Sequence, residues 1–110
     1  MNPQQRDCAL GAIQQVCRLK DWTLLAVHVR STHVHVVIAA AIEPARIMNG
    51  LKNAISRTLN RADRQTDQRR WSRHGSTRFL WSARQVKDAI TYVVEKQGEP
   101  MSVYAKGWKP

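Results

Sequence analysis

Two histidines one residue apart, His33 and His35, are the pair whose type and spacing best suit them to chemistry. They fall in a run of strand-forming residues, His33 to Ala40, where successive side chains leave the backbone on opposite sides. Their imidazoles therefore share a face, about 7 Å apart along the strand, and modest rotation would bring both onto one cation. Val34 and Val36 point the other way, into a core. A His-X-His spacing also arises by chance on exposed sheet faces, and spacing alone favours that plainer reading. His28 raises a question of register. With a three-residue loop, Val29 pairs with His33, and His28 falls on the face opposite the pair. With a two-residue loop, His28 stands across from His35 as a candidate third ligand. We take His28 as structural.

Tyr92 is the other residue with chemical potential. It lies on a helical stretch, about 120° round from the buried centre line, on a partly exposed flank. An exposed helical tyrosine by itself carries no role.

The elements that must hold these groups follow from pattern. Asn2-Pro3 starts a helix, and Leu10, Ile13, Val16 and Cys17 recur at helical spacing to about Leu19. Trp22–Val29 and His33–Ala40 are rich in strand formers and separated by the short polar Arg30-Ser31-Thr32, so they predict a β-hairpin. Glu43-Pro44 opens a second helix with the apolar stripe Ile47, Leu51, Ala54, Ile55, Thr58, Leu59 and Ala62. Gln65–His74 has no period and predicts an exposed basic loop. Gly75–Trp81 predicts a turn and third strand. Ser82 with Gln85 is a capping-box pattern for a third helix, which buries Val86, Ile90 and Val93 and stops at Gly98. Residues 99–110 predict an irregular tail. The expected fold is one α+β domain over residues 1–110, ordered α-β-β-α-β-α: a ferredoxin-like or RRM-like antiparallel sheet with helices packed on one face.

Composition narrows the class. The 110 residues are 43% apolar, enough for one core and against disorder. The longest apolar run, Val36–Ile42, is far short of a membrane span, and no signal-peptide pattern opens the chain, so a cytoplasmic protein is expected. Cys8 and Cys17 are nine helical residues apart, roughly 13 Å, too far for a disulfide. Eighteen Lys and Arg stand against eight acids, a net charge of +10. Half of the basic residues sit between Arg46 and Arg78, where only Asp63 and Asp67 oppose them. Arginine dominates there, and its planar fork suits bidentate phosphate contact, so nucleic acid is the natural partner. An anionic membrane fits less well, because the segment exposes no face of large apolar residues.

Three ordered blocks, His28-Val29-Arg30-Ser31-Thr32-His33-Val34-His35, Gly75-Ser76-Thr77-Arg78-Phe79-Leu80-Trp81 and Tyr92 to Gly98, resemble the single-tyrosine HUH transposases, more closely the REP-associated tyrosine transposase-like proteins. The resemblance spans about Asp7 to Tyr104. It implies a metal-dependent single-stranded DNA endonuclease and strand transferase, with Tyr92 as nucleophile forming a 5′-phosphotyrosine and His33 and His35 holding Mg²⁺ or Mn²⁺. The family's third ligand is usually a Gln or Asn four residues after the tyrosine. Here that position is Lys96, so the resemblance points to Gln97, while geometry on a regular helix favours Glu95, about 60° from Tyr92. Arg57, Arg61, Arg64, Arg69, Arg70 and Arg73 would meet the phosphates of single-stranded or hairpin DNA, helped by Arg78. Trp71 is the better candidate for stacking on an unpaired base, since Phe79 and Trp81 share one strand face and fit a core. The family's domain normally begins with a central β-strand ahead of the first helix. Its apparent lack here would leave the His-bearing strand with an open edge, to be completed in a homodimer. Two alternatives stand beside the enzyme: a non-catalytic, domesticated or truncated nucleic-acid-binding module of the same fold, and a basic structural protein with chance histidines.

Overall fold

The computed structural model describes residues 2–31, 33–63, 82–95, 98 and 100–106. Helix α1, Pro3–Leu19, begins with a complete capping box. Gln5 N–H donates to Asn2 Oδ1 at 2.7 Å, and Asn2 N–H donates to Gln5 Oε1 at 2.9 Å. Two of the otherwise orphaned donors at the helix start are thereby satisfied. Asn2→Ala is expected to cost about 1 kcal/mol, read as a lower urea midpoint at unchanged slope. The helix stops where Asp21 takes a left-handed conformation, φ 59°. Trp22 N–H then reaches back to Cys17 O at 2.8 Å and Asp21 N–H to Arg18 O at 3.3 Å, a Schellman closure made without glycine. Cys8 and Cys17 are both free thiols.

Strands β1, Thr23–Val29, and β2, Val34–Ala39, form the expected antiparallel hairpin. Arg30 N–H donates to His33 O at 2.8 Å, which closes a two-residue loop and settles the register: Val29 opposes Val34, and His28 opposes His35. Farther along, a bulge between Leu24 and Ala26 breaks the alternation. It lets Leu24, Val27 and Val29 serve one core while Leu25 and Ala26 serve another.

Helix α2, Pro44–Asp63, and helix α3, Ala83–Glu95, follow. The predicted cap of α3 is present: Gln85 N–H donates to Ser82 Oγ at 3.1 Å and Ser82 N–H to Gln85 Oε1 at 3.2 Å. Gly98 has φ +79°, the left-handed residue expected beyond this helix. The last element is β3, Ser102–Ala105, antiparallel to β1. It corrects the expectation of an irregular tail. Four residues are too few to display a period of two, yet Val103 and Tyr104 do face opposite cores. Ser102 Oγ–H donates to Asp7 Oδ1 at 2.6 Å and ties the new strand to α1.

The result is the expected α+β class, a three-stranded antiparallel sheet in the order β2-β1-β3 with helices packed on it. Among the described residues β2 is an edge strand, and the strand expected at Gly75–Trp81 lies outside them. The helices cover both faces of the sheet rather than one. On one side Ile13 and Val16 of α1, Ile55 and Leu59 of α2, and Val27 and Val29 of β1 form the larger core. Here α2 comes close enough to Trp22 that a Cβ on Gly50 would meet the indole at 3.0 Å. On the other side Val93 and Val94 of α3 pack on Ala26, Val37 and Ala105. That second face is the one to which His28 and His35 point. Among the described residues no helix is long and apolar enough to cross a membrane.

Candidate active site

The period of two puts Val34 and Val36 into the larger core and turns His35 to the side covered by α3. His33 sits just before β2 and is exposed; His35 is half-buried. Their rings lie 6.1 Å apart, centre to centre, and are inclined by only 15°, so they stack rather than converge. Burial, then the charges that His33, His28 and Arg30 would bring, hold the His35 pKa below the ordinary histidine value. His35 is therefore neutral at physiological pH and keeps a lone pair for a cation, as a metal ligand must. The donor chemistry fits a divalent ion through two imidazoles. Among the described residues no three His, Cys, Asp or Glu side chains are grouped to hold one.

His28 is fully buried, at 0% exposure, directly across the ladder from His35. Both of its nitrogens are engaged by backbone. Met101 N–H donates to Nε2 at 3.0 Å, so Nε2 carries the lone pair. Nδ1 must then carry the proton, and it donates to Val93 O at 3.0 Å. This fixes the neutral Nδ1–H tautomer, and burial pushes the pKa down accordingly. His28 thus stands in the register that would have made it a third ligand, but both nitrogens are committed to the backbone. It joins the last turn of α3 and the residue before β3 to the central strand.

Tyr92 directly precedes the residue that His28 holds. Val93 and Val94 are buried, whereas Tyr92 is 56% exposed on the flank of α3, as helical spacing predicts. Glu95 is exposed in the last turn; Gln97 and Lys96 lie outside the described residues. Arg30, given no site role by its place in the hairpin loop, approaches Gly98: its Nη2 is 3.7 Å from where a Cβ on Gly98 would stand. Its position at the end of β1, beside a tight hairpin turn, was the available signal.

Of the basic residues assigned to DNA, Arg57 and Arg61 are exposed on α2. Arg64, Arg69, Arg70, Arg73, Arg78 and Trp71 lie outside the described residues.

The family model described as "Transposase IS200 like" matches residues 2–96. The chain belongs to the IS200-like transposase family, a class of proteins of DNA transposition. No curated protein and no solved structure matches it.

Proposed function

We propose that this chain cuts and rejoins single-stranded DNA through Tyr92, with His33 and His35 holding a divalent metal ion. One observation carries the reading: His35, with the His33 ring stacked against it, belongs to the sheet face on which α3 packs, and the backbone beside Tyr92 is hydrogen-bonded to the strand opposite His35. In the reaction the Tyr92 phenol loses its proton and its oxygen attacks a backbone phosphorus. One P–O bond forms to tyrosine and the P–O3′ bond breaks, releasing a 3′-hydroxyl that takes up a proton. The phosphotyrosine keeps a phosphodiester's bond energy, so a 3′-hydroxyl can displace tyrosine and reseal a strand without a nucleotide cofactor. A bound Mg²⁺ or Mn²⁺ would supply Lewis-acid polarisation of the phosphate and an electrostatic pull toward the phenolate. Two nitrogen donors suit Mn²⁺ better than Mg²⁺, which prefers oxygen. Gln97 or Glu95 would complete the set, and the open edge of β2 would be covered in a homodimer.

The second reading, a DNA-binding relative that has lost catalysis, draws on Lys96 at the family's third-ligand position. Two measurements separate them. The wild-type chain is expected to form a covalent adduct on single-stranded or hairpin DNA in Mn²⁺. His33→Ala/His35→Ala is expected to weaken Mn²⁺ binding, titrated by calorimetry without DNA, by at least about tenfold. Salt-sensitive DNA binding with no adduct under any divalent ion would leave the second reading.

A further inference from the structure

The face of α2 turned away from the core is unusual for a solvent-exposed helix. At roughly 100° per residue, Arg46, Asn49, Asn53, Arg57 and Asn60 fall on one stripe opposite Leu51, Ile55 and Leu59, with Ser56 at its border. Arg46, Asn49, Asn53 and Arg57 are exposed, and Ser56 and Asn60 half-buried. Asparagine is a poor helix former, since its amide competes with the backbone for hydrogen bonds. Three in the middle of one exposed helix weaken it. Nor does the stripe carry the Glu–Lys pairs that usually support such a face: the helix has no acid before Asp63. What the stripe offers is paired donors and acceptors interspersed with fixed positive charge. Asn53, Ser56, Arg57 and Asn60 together line a shallow depression, and Arg57 Nε–H reaches back to Asn53 O at 3.4 Å, which lays the guanidinium along the same row.

We propose that the outer face of α2 reads base edges in the major groove of duplex DNA, with Asn53 and Asn60 as adenine readers and Arg57 as a guanine reader. The side-chain chemistry matches: asparagine bonds adenine N6 and N7 as a pair, and arginine bonds guanine O6 and N7. Shape matches as well, because the major groove admits an α-helix. From Arg46 to Asn60 the stripe rises about 21 Å, comparable to about six stacked base pairs. A single strand is the poorer occupant. Its sequence-tolerant binding depends on aromatic platforms, and this stripe has none. The proposal rests on the transposition reading only for its choice of DNA, and it places a double-stranded stem on α2, apart from the strand that Tyr92 would cut.

The test uses the full chain and two randomised DNA pools, one of hairpins with a random stem and one of single strands, selected for binding in the absence of divalent metal. The wild type is expected to enrich a short stem sequence and to bind it at least about tenfold tighter than a scrambled stem. In Asn53→Ala/Asn60→Ala that ratio is expected to collapse to within about threefold of unity, while affinity for the scrambled stem and the slope of log K against log salt stay unchanged, because no charge is lost. Alanine is the better helix former, and helicity and Tm measured alongside separate a lost preference from unfolding. No enriched stem, enrichment from the single-strand pool alone, or a stem preference that survives in the double variant would each overturn the proposal. No arm requires cleavage. A chain that selects a stem yet forms no adduct fails only as a nuclease; one that forms adducts without stem preference fails only here.

Discussion

Tyr92→Phe is expected to lower covalent protein–DNA adduct formation by at least about a thousandfold while leaving fold and DNA affinity in place. The substitution removes one oxygen and keeps the ring. Tyr92 is more than half exposed, so the loss should change stability by no more than about 0.5 kcal/mol. The measurement is a denaturing gel of end-labelled single-stranded DNA incubated with Mn²⁺, with binding followed in parallel by fluorescence anisotropy. Label on the 5′ side of the nick should be released as a free 3′-hydroxyl strand, and label on the 3′ side should migrate with the protein. An adduct that persists in Tyr92→Phe would move the nucleophile elsewhere. The result also bears on the stack of exposed His33 on half-buried His35: if the pair holds an ion during attack by Tyr92, DNA or metal must draw the two rings from parallel to convergent, because an ion between them needs both lone pairs aimed at one point.

The strongest patterns in the sequence were those repeated over many residues. Seventeen residues of α1 and twenty of α2 gave enough turns for their apolar stripes to be read, and the caps at Asn2 and Ser82 marked where helices begin. Gly98 was legible because its role beyond α3 requires a positive φ. Strand β3 was not legible, since Ser-Val-Tyr-Ala becomes a strand only by pairing with β1, a contact between residues far apart in the chain. The hairpin register was undecided for a similar reason. Loops of two and three residues differ by one position, and the bond from Arg30 N–H to His33 O selects between them. Of the site, the shared face of His33 and His35 and the exposed flank of Tyr92 follow from period alone. The commitment of both His28 nitrogens could not be read, because it depends on two backbone groups, at Val93 and Met101, that no side-chain pattern encodes.

His28→Leu is expected to destabilise the fold by about 2–5 kcal/mol, a large share of a small domain's total, measured by urea unfolding. Leucine fills a similar volume, so the cost is electrostatic rather than a cavity: the N–H of Met101 and the C=O of Val93 lose the partner that the buried imidazole gives them. His28→Gln carries both a donor and an acceptor on its amide and should recover part of the loss, which a purely steric role would not predict. The same bonds set a pH dependence. Unfolded histidine titrates near 6.5, whereas folded His28 and His35 titrate lower, so on acidification the unfolded chain takes up protons first. Stability is therefore complete above about pH 6.5 and falls as pH drops toward the folded values. His28→Leu should flatten this acid limb, leaving the part due to His35. A limb as steep as the wild type's would show that His28 is not the neutral bridge its two bonds require. The consequence for Tyr92 is mechanical. The last turn of α3 packs on the central strand through Val93 and Val94 and is hydrogen-bonded to it through the His28 imidazole, so weakening that bond loosens the phenol's backbone before it unfolds the sheet. In His28→Gln, adduct formation should fall further than stability does.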